Sequence, residues 1–206
     1  LVTVTALTAL RRGKVGLHLD GSFVCALHPD MAAQLHPGDQ LEEDRLQELQ
    51  QSSQLLFAKN QALRLLSIRP YACQELYQKL SANWGEHAAA ATVSRMLELG
   101  YLDDREFAGR YARELARKGR ARDRILRELM AKGIDRELAE EVLEEEPQDL
   151  EAAAANVVLK KYRNSLQDEK GLRRIQNALA RLGYPYEVIR TVLRNLREDE
   201  DYYDEA

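Results

Sequence analysis

Residues 124–145 read RILRELMAKGIDRELAEEVLEE, and the fold turns on how this stretch is read. Ile125 and Leu129 share one face of a helix, Gly133-Ile134 interrupts it, Asp135 restarts the chain, and Val142 falls on the apolar face of a second helix. The same three apolar positions stand 49 residues earlier as Leu76, Leu80 and Val93, and 50 residues later as Ile175, Leu179 and Val192. A self-similar period of this length marks a stacked array, because one such unit cannot bury its apolar face alone. A third helix is expected around Phe107-Tyr111-Leu115 after the first unit and around Val158-Tyr162 after the second. The last unit runs into an acidic tail after two helices. The expected fold is therefore mainly α, with tandem three-helix repeats over 70–118, 119–166 and 167–206 in an elongated array.

The N-terminal part has a different period. Over 1–41, VTVTALTAL, KVGLHLDGSFVCAL and GDQL alternate apolar and polar residues, which is strand patterning. Asp20-Gly21 between two such runs predicts a hairpin, since a type I′ turn needs positive φ at both central positions. A small antiparallel unit of three strands is expected, followed by a linking helix over 42–69. Leu46, Leu49, Leu56, Leu63 and Leu66 lie on roughly one stripe of that helix, which Arg69-Pro70 ends.

Composition places the chain among globular proteins, with 45% hydrophobic and 31% charged residues in 206. No run is apolar for long enough to span a membrane, and the start lacks a basic-then-apolar secretion signal, so a cytoplasmic protein is expected. The chain opens on Leu1 rather than Met, which reads as a trimmed start. Cys25 and Cys73 lie far apart, as suits reduced thiols. The net charge of −4 conceals segregation: residues 105–127 hold nine Arg or Lys against three acids, and 135–151 hold nine acids against one Arg. A further six acids fall in 198–205. A basic block between acidic ones points to an anionic partner met by one face.

The paired Asp103-Asp104 could be acid/base or metal chemistry, but capping is the preferred reading. Gly100 stands where a left-handed helix stop is usual, with Tyr101 after it. Asp103 and Glu106 form a D-x-x-E capping box, and Leu102 with Phe107 forms a hydrophobic staple. Gly133-Ile134-Asp135 and Gly183 repeat the stop, and a feature reused as punctuation is a poor candidate for chemistry. His18, Cys25, His28 and His36 fall within nineteen residues, so zinc is conceivable, but CALH lacks a matching ligand pair. No glycine-rich phosphate loop or nucleophile motif is present. Trp84 and Tyr101, Tyr111, Tyr162 and Tyr184 read as core residues rather than base-stacking ones. No catalytic residue, metal or cofactor is expected.

ALRLLSIRPYACQELYQKL, LELGYLDDREFAGRYARELA and ILRELMAKGIDRELAEEVL together resemble the RecX family of bacterial recombination regulators over residues 60–197. The specific core is Gly100, Tyr101, Leu102, Asp103, Asp104, Phe107, Ala108 and Tyr111, with Lys132-Gly133-Ile134 as a second junction. The chain departs at Trp84-Gly85, where many members carry a basic residue and glycine. The resemblance implies a non-enzymatic regulator that binds the RecA filament on single-stranded DNA and suppresses recombinase, ATPase and coprotease activities. It would act as a monomer.

The contacts expected are Arg110, Arg113, Arg117, Lys118, Arg120, Arg122, Arg124 and Arg127. Arg110, Arg113 and Arg117 fall on one stripe of the helix over 103–117, opposite Phe107, Tyr111 and Leu115. Arginine suits bidentate pairing with phosphate or carboxylate. The alternative is a stand-alone single-stranded nucleic-acid binder, against which the acidic stretches count.

Overall fold

The structure, a computed structural model, describes the backbone of residues 1–204 and the side chains of residues 1–198. The acidic side chains expected beyond Glu198 lie outside the described residues. The chain divides into two compact units, 1–103 and 104–206.

The first unit begins with a sheet. Strands β1 (Val2–Ala9), β2 (Val15–Leu19), β3 (Ser22–Leu27) and β4 (Gln40–Leu41) are antiparallel, in the order β3-β2-β1-β4. The hairpin turn has φ 49° at Asp20 and 84° at Gly21, the doubly positive pair that the Asp-Gly dipeptide predicts. Asp20 Oδ1 accepts from the Thr3 N–H and Thr5 Oγ1 from the Gly21 N–H, which ties the turn to β1. Four strands stand where three are expected. The fourth is the QL of GDQL, two residues long, and it pairs with Val2 and Thr3. So short a strand has no periodicity of its own to read. A single helical turn, α1 (Pro29–Ala32), capped by His28, links β3 to β4.

Helix α2 (Glu43–Ile68) carries both halves of this unit's core. Leu49 packs with Val4, Leu17, Leu19 and Leu27 beneath the sheet. Ala62 packs with Leu76, Leu80, Val93 and Met96 of α3 (Cys73–Trp84) and α4 (Glu86–Glu98). The leucine stripe holds in part: Leu49 is buried and Leu46, Leu56 and Leu66 are half-buried, but Leu63 is exposed. The buried residues of α2 are Leu49, Ser53, Ala58 and Ala62. Close helix approach selects small residues at the contact, which a stripe of leucines does not reveal. Between the two halves Phe57 stacks on Trp84 with centroids 5.0 Å apart. Lys14 Nζ lies 5.1 Å and 4.8 Å from their ring centroids, and Trp84 Nε1 donates to Gln61 Oε1 at 2.6 Å.

The second unit holds α5 (Asp104–Arg117), α6 (Arg122–Ala131), α7 (Arg136–Glu145), α8 (Leu150–Lys161), α9 (Glu169–Leu182) and α10 (Tyr186–Asp204). All nine repeated apolar residues, Leu76, Leu80, Val93, Ile125, Leu129, Val142, Ile175, Leu179 and Val192, are buried. The modules are phased differently from the expected 70–118, 119–166 and 167–206. Helices α2, α3 and α4 pack on one another, as do α5, α6 and α7, while α10 packs on both α8 and α9. The helices at Phe107–Leu115 and Val158–Tyr162 therefore open the following module rather than close the preceding one, and the last module has three helices. A repeat period says how far apart equivalent residues lie; where a unit begins depends on which apolar faces meet.

Four of the helix stops share one closure. At Gly100, Gly133 and Gly183 the glycine N–H donates to the carbonyl three residues back, and the next N–H to the carbonyl five back: Tyr101 to Met96, Ile134 to Leu129, Tyr184 to Leu179. Gly119 and Arg120 close α5 in the same way on Ala116 and Leu115. This is the Schellman arrangement, which satisfies carbonyls at the helix end and needs a left-handed residue. At Gly183, with φ 94°, the backbone also approaches α6: a Cβ there would lie 2.7 Å from that of Arg124.

Candidate functional site

Module two is built on α5, whose start at Asp104 puts Asp103 at the N-cap position and Glu106 three residues on. Phe107 and Leu115 are buried and Tyr111 is half-buried, its ring stacked on Phe107 at 5.7 Å. Arg110, Arg113 and Arg117 are exposed on the other side. Tyr101, expected in a core, is 57% exposed; Tyr184 is buried. The backbone closure is the same at both, so the burial of this side chain is decided by what packs beside it and not by the stop.

The eight expected cations lie in one module, and acids beside them engage half, counting Arg122, whose Nη2 lies 3.9 Å from Glu144 Oε1. Arg113 donates to Glu146 Oε1 at 2.7 Å, and Lys118 to Glu114 Oε1 at 2.5 Å. That second hydrogen bond holds the Glu114 carboxyl below its ordinary range. Arg124 donates through Nε to Glu128 Oε1 at 3.0 Å. Arg122 Nη1 donates to the Leu143 carbonyl at 2.7 Å and so closes the C-terminal turn of α7. Arg127 reaches only the Asp123 carbonyl of its own helix, at 3.2 Å. Arg120 is half-buried, with its carbonyl accepting from Gln148 and its Nε buried without a partner. Arg110 and Arg117 have no hydrogen bond or ion pair among the described residues.

The acidic block of the sequence thus answers the basic one from within the module. Arg105, not among the expected contacts, pairs with both Glu141 and Glu145 on α7, the latter at 2.6 Å. These partners stand 36 and 40 residues away, so no local spacing announces them. All are about half exposed, and pairs of this kind contribute about 0–1 kcal/mol each. Arg113, Arg117 and Arg122, together with Glu145 and Glu146, rim a cleft of about 330 Å³ among α5, α6 and α7, whose floor is Ala112, Ala116, Ile125 and Val142.

The His and Cys residues near the N-terminus do not converge. A bulge between Leu17 and His18 pairs His18 with Phe23 and Cys25 with Leu17, so the two face opposite sides of the sheet. His18 Nε2 lies 3.1 Å from Thr8 Oγ1, and His28 Nδ1 accepts from the Asp30 N–H. Burial pushes the Cys25 thiol up, against a hydrogen bond with Gln50. Neither cysteine forms a disulfide. Among the described residues no group of three or more His, Cys, Asp or Glu could hold a metal ion. No helix of the described residues is long and apolar enough to cross a membrane.

The last module carries a second basic surface that the sequence reading passed over. Lys170, Arg173, Arg174 and Arg181 line a depression between α9 and the 3-10 turn at Arg163–Ser165. Arg190, Arg194 and Arg197 line another with Leu172 and Gln176. Spread over two helices, these residues do not form a dense run in the sequence. The signal that could have found them is the helical spacing of Lys170, Arg174 and Arg181.

Fold and surface together define a class: a protein of three successive three-helix modules, preceded by a small sheet, whose second and third modules carry clustered basic residues. Comparison with known proteins is more specific. Residues 58–96, 103–143 and 149–193 match the RecX first, second and third three-helix domains. The regulatory protein RecX of Thermus thermophilus is 34% identical over 143 residues, covering 69% of this chain and 94% of its own length. That of Escherichia coli is 35% identical over 151 residues, with coverages of 68% and 91%. The chain belongs to the RecX family. A crystal structure of a regulatory protein RecX superposes with a TM-score of 0.62 at 20% identity, over 93% of this chain and 98% of that one. RecX from Lactobacillus salivarius gives 0.61 at 22%, over 71% and 98%. These two likenesses concern the fold. The matched modules, 58–96, 103–143 and 149–193, coincide with the packed helix groups, and the sheet lies outside them.

Proposed function

We propose that this chain is a cytoplasmic, monomeric regulator that binds the RecA filament on single-stranded DNA and restrains its recombinase, ATPase and coprotease activities. It acts by binding and not by catalysis. The observation that carries this reading is membership of the RecX family through all three modules in order. The surface of module two suits a protein partner. Arg110 and Arg117 keep their guanidinium groups out of internal pairs, and Arg117 stands at the rim of an apolar cleft. An apolar side chain beside a carboxylate would fit there, with arginine supplying a bidentate partner. Arg113, Lys118, Arg122 and Arg124 would join only by exchanging an internal partner for an external one.

The test is RecA ATPase on single-stranded DNA, measured with increasing amounts of this protein. Wild type should inhibit. The Arg110→Ala/Arg117→Ala variant should need at least about tenfold more protein for the same inhibition, since each charge-assisted bond lost is worth about 1.5–3 kcal/mol. An unchanged inhibition curve for that variant removes the site; absence of inhibition by wild type removes the function.

A further inference from the structure

The two basic surfaces differ in how their charge is held. In module two, α7 and the residue that follows it supply Glu141, Glu145 and Glu146 to Arg105 and Arg113. Module three has no such counterpart. Residues 152–198 contain ten Lys or Arg against four acids, Asp168, Glu169, Glu187 and Glu198. Asp168 is occupied as the N-cap of α9, its Oδ1 accepting from the Gly171 N–H. Glu169 reaches Arg173 only at 3.8 Å, with both side chains largely exposed. Among the described residues Lys170, Arg190, Arg194 and Arg197 have no ion pair, Arg181 donates to the Asn177 carbonyl of its own helix, and Arg174 lies 5.9 Å from the Tyr162 ring.

The arrangement is a track rather than a point. Lys170, Arg174, Asn177 and Arg181 stand at i, i+4, i+7 and i+11, one stripe of α9 about 16 Å long. Asn164 faces the same depression. Arg190, Arg194 and Arg197 form a second stripe, at i, i+4 and i+7 on α10, beside Leu172 and Gln176 of α9, with Glu198 the one acid at its edge. A single anion would use one of these groups; two stripes flanking one helix match a chain of evenly spaced negative charges. Aromatic residues do not line either depression, so recognition would rest on the backbone and be indifferent to sequence.

We infer that module three binds the phosphodiester backbone of nucleic acid through Lys170, Arg173, Arg174 and Arg181 on one side of α9 and Arg190, Arg194 and Arg197 on the other. The cleft of module two, where Arg113 is already paired to Glu146 and only Arg117 stands outside such pairs, is left to protein. This deepens the function proposed above and rests on it only in naming DNA as the polyanion met on the filament.

The experiment uses the full chain without RecA, so that its outcome is independent of RecA regulation. Fluorescence anisotropy of a labelled mixed-sequence oligonucleotide, single-stranded and as a duplex, is titrated at several KCl concentrations. Each phosphate contact contributes about 0.7 to the slope of log K against log salt for single strands and about 0.9 for duplex. Arg173→Ala/Arg174→Ala/Arg181→Ala should therefore lower the magnitude of the single-strand slope by about 2, a loss of roughly 100-fold in affinity at about 0.1 M salt if binding at 1 M is unchanged. All three residues are exposed on a helix, where alanine favours the fold; far-UV circular dichroism checks this. A drop on either oligonucleotide supports the inference, and the larger drop identifies the strand form. An unchanged slope on both, no binding by wild type, or an equal loss of affinity for labelled poly-glutamate overturns it.

Discussion

Replacing Gly171 by alanine sets two effects against each other, and the structure says which one wins. Gly171 lies in the first turn of α9, where alanine is the better helix former by up to about 1 kcal/mol. A Cβ at this position would stand 2.0 Å from the Ser165 carbonyl oxygen and 2.8 Å from its carbon. The obstacle is backbone, so it cannot rotate away, and overpacking of this kind costs about 1–3 kcal/mol. Moving the 163–165 turn also disturbs Asp168, whose cap on the Gly171 N–H is worth about 1 kcal/mol. The net expectation is a loss of about 1–3 kcal/mol. Gly109→Ala is the matched control. It is also within a helix, but its Cβ would meet only the Arg113 guanidinium at 3.6 Å and Val142 at 3.9 Å. It should stabilise by up to about 1 kcal/mol. Urea unfolding followed by circular dichroism at 222 nm measures both, with the fluorescence of Trp84, the sole tryptophan, reporting the first unit as an internal reference. Both variants shifting in the same direction would refute the steric reasoning.

Two further outcomes follow from buried groups. Tyr184→Phe should stabilise by about 1 kcal/mol, because the hydroxyl is buried without a partner and its removal lifts a desolvation penalty. Burial raises the Tyr184 pKa, so the unfolded chain loses that proton first as pH climbs, and wild type should lose more stability than the variant above about pH 10; equal losses would contradict this. Cys25, whose thiol is pushed up by burial, should be alkylated by iodoacetamide at pH 8 more slowly than a small-molecule thiol, as read by mass spectrometry on a Cys73→Ser variant. A rate equal to the free thiol's would mean that the site beneath the sheet opens readily.

Much of the fold was legible because it rests on local rules. Asp20-Gly21 dictated its turn, and the spacing of Ile125, Leu129 and Val142 with their two sets of counterparts located nine core positions, all buried. What could not be read depends on partners distant in the chain. The phase of the modules is one case, since α5 and α8 carry apolar faces that would serve either neighbour until their packing is seen. The contact face of α2 is another: Ser53, Ala58 and Ala62 have little hydrophobic signal, yet they are what allows other helices close. The candidate site divides the same way. The dense arginines of 105–127 stand out in a linear reading, but their pairing with Glu141, Glu145 and Glu146 does not, and that pairing decides how much charge module two presents. Module three is sparser in sequence, with its cations gathered only by helical geometry.

Helix α2 has a mechanical consequence. Its 26 residues run without a break from the sheet to the first three-helix module, a rod of about 39 Å with one end in each core. Phe57 and Trp84, bridged by Lys14, brace it midway. A domain joined by a loop explores many orientations and gives up entropy when it docks; a domain grown onto a continuous helix has less to give up. The sheet therefore moves as the handle of module one. A force or a contact applied at β3 is delivered to α3 and α4 as torque, without slack.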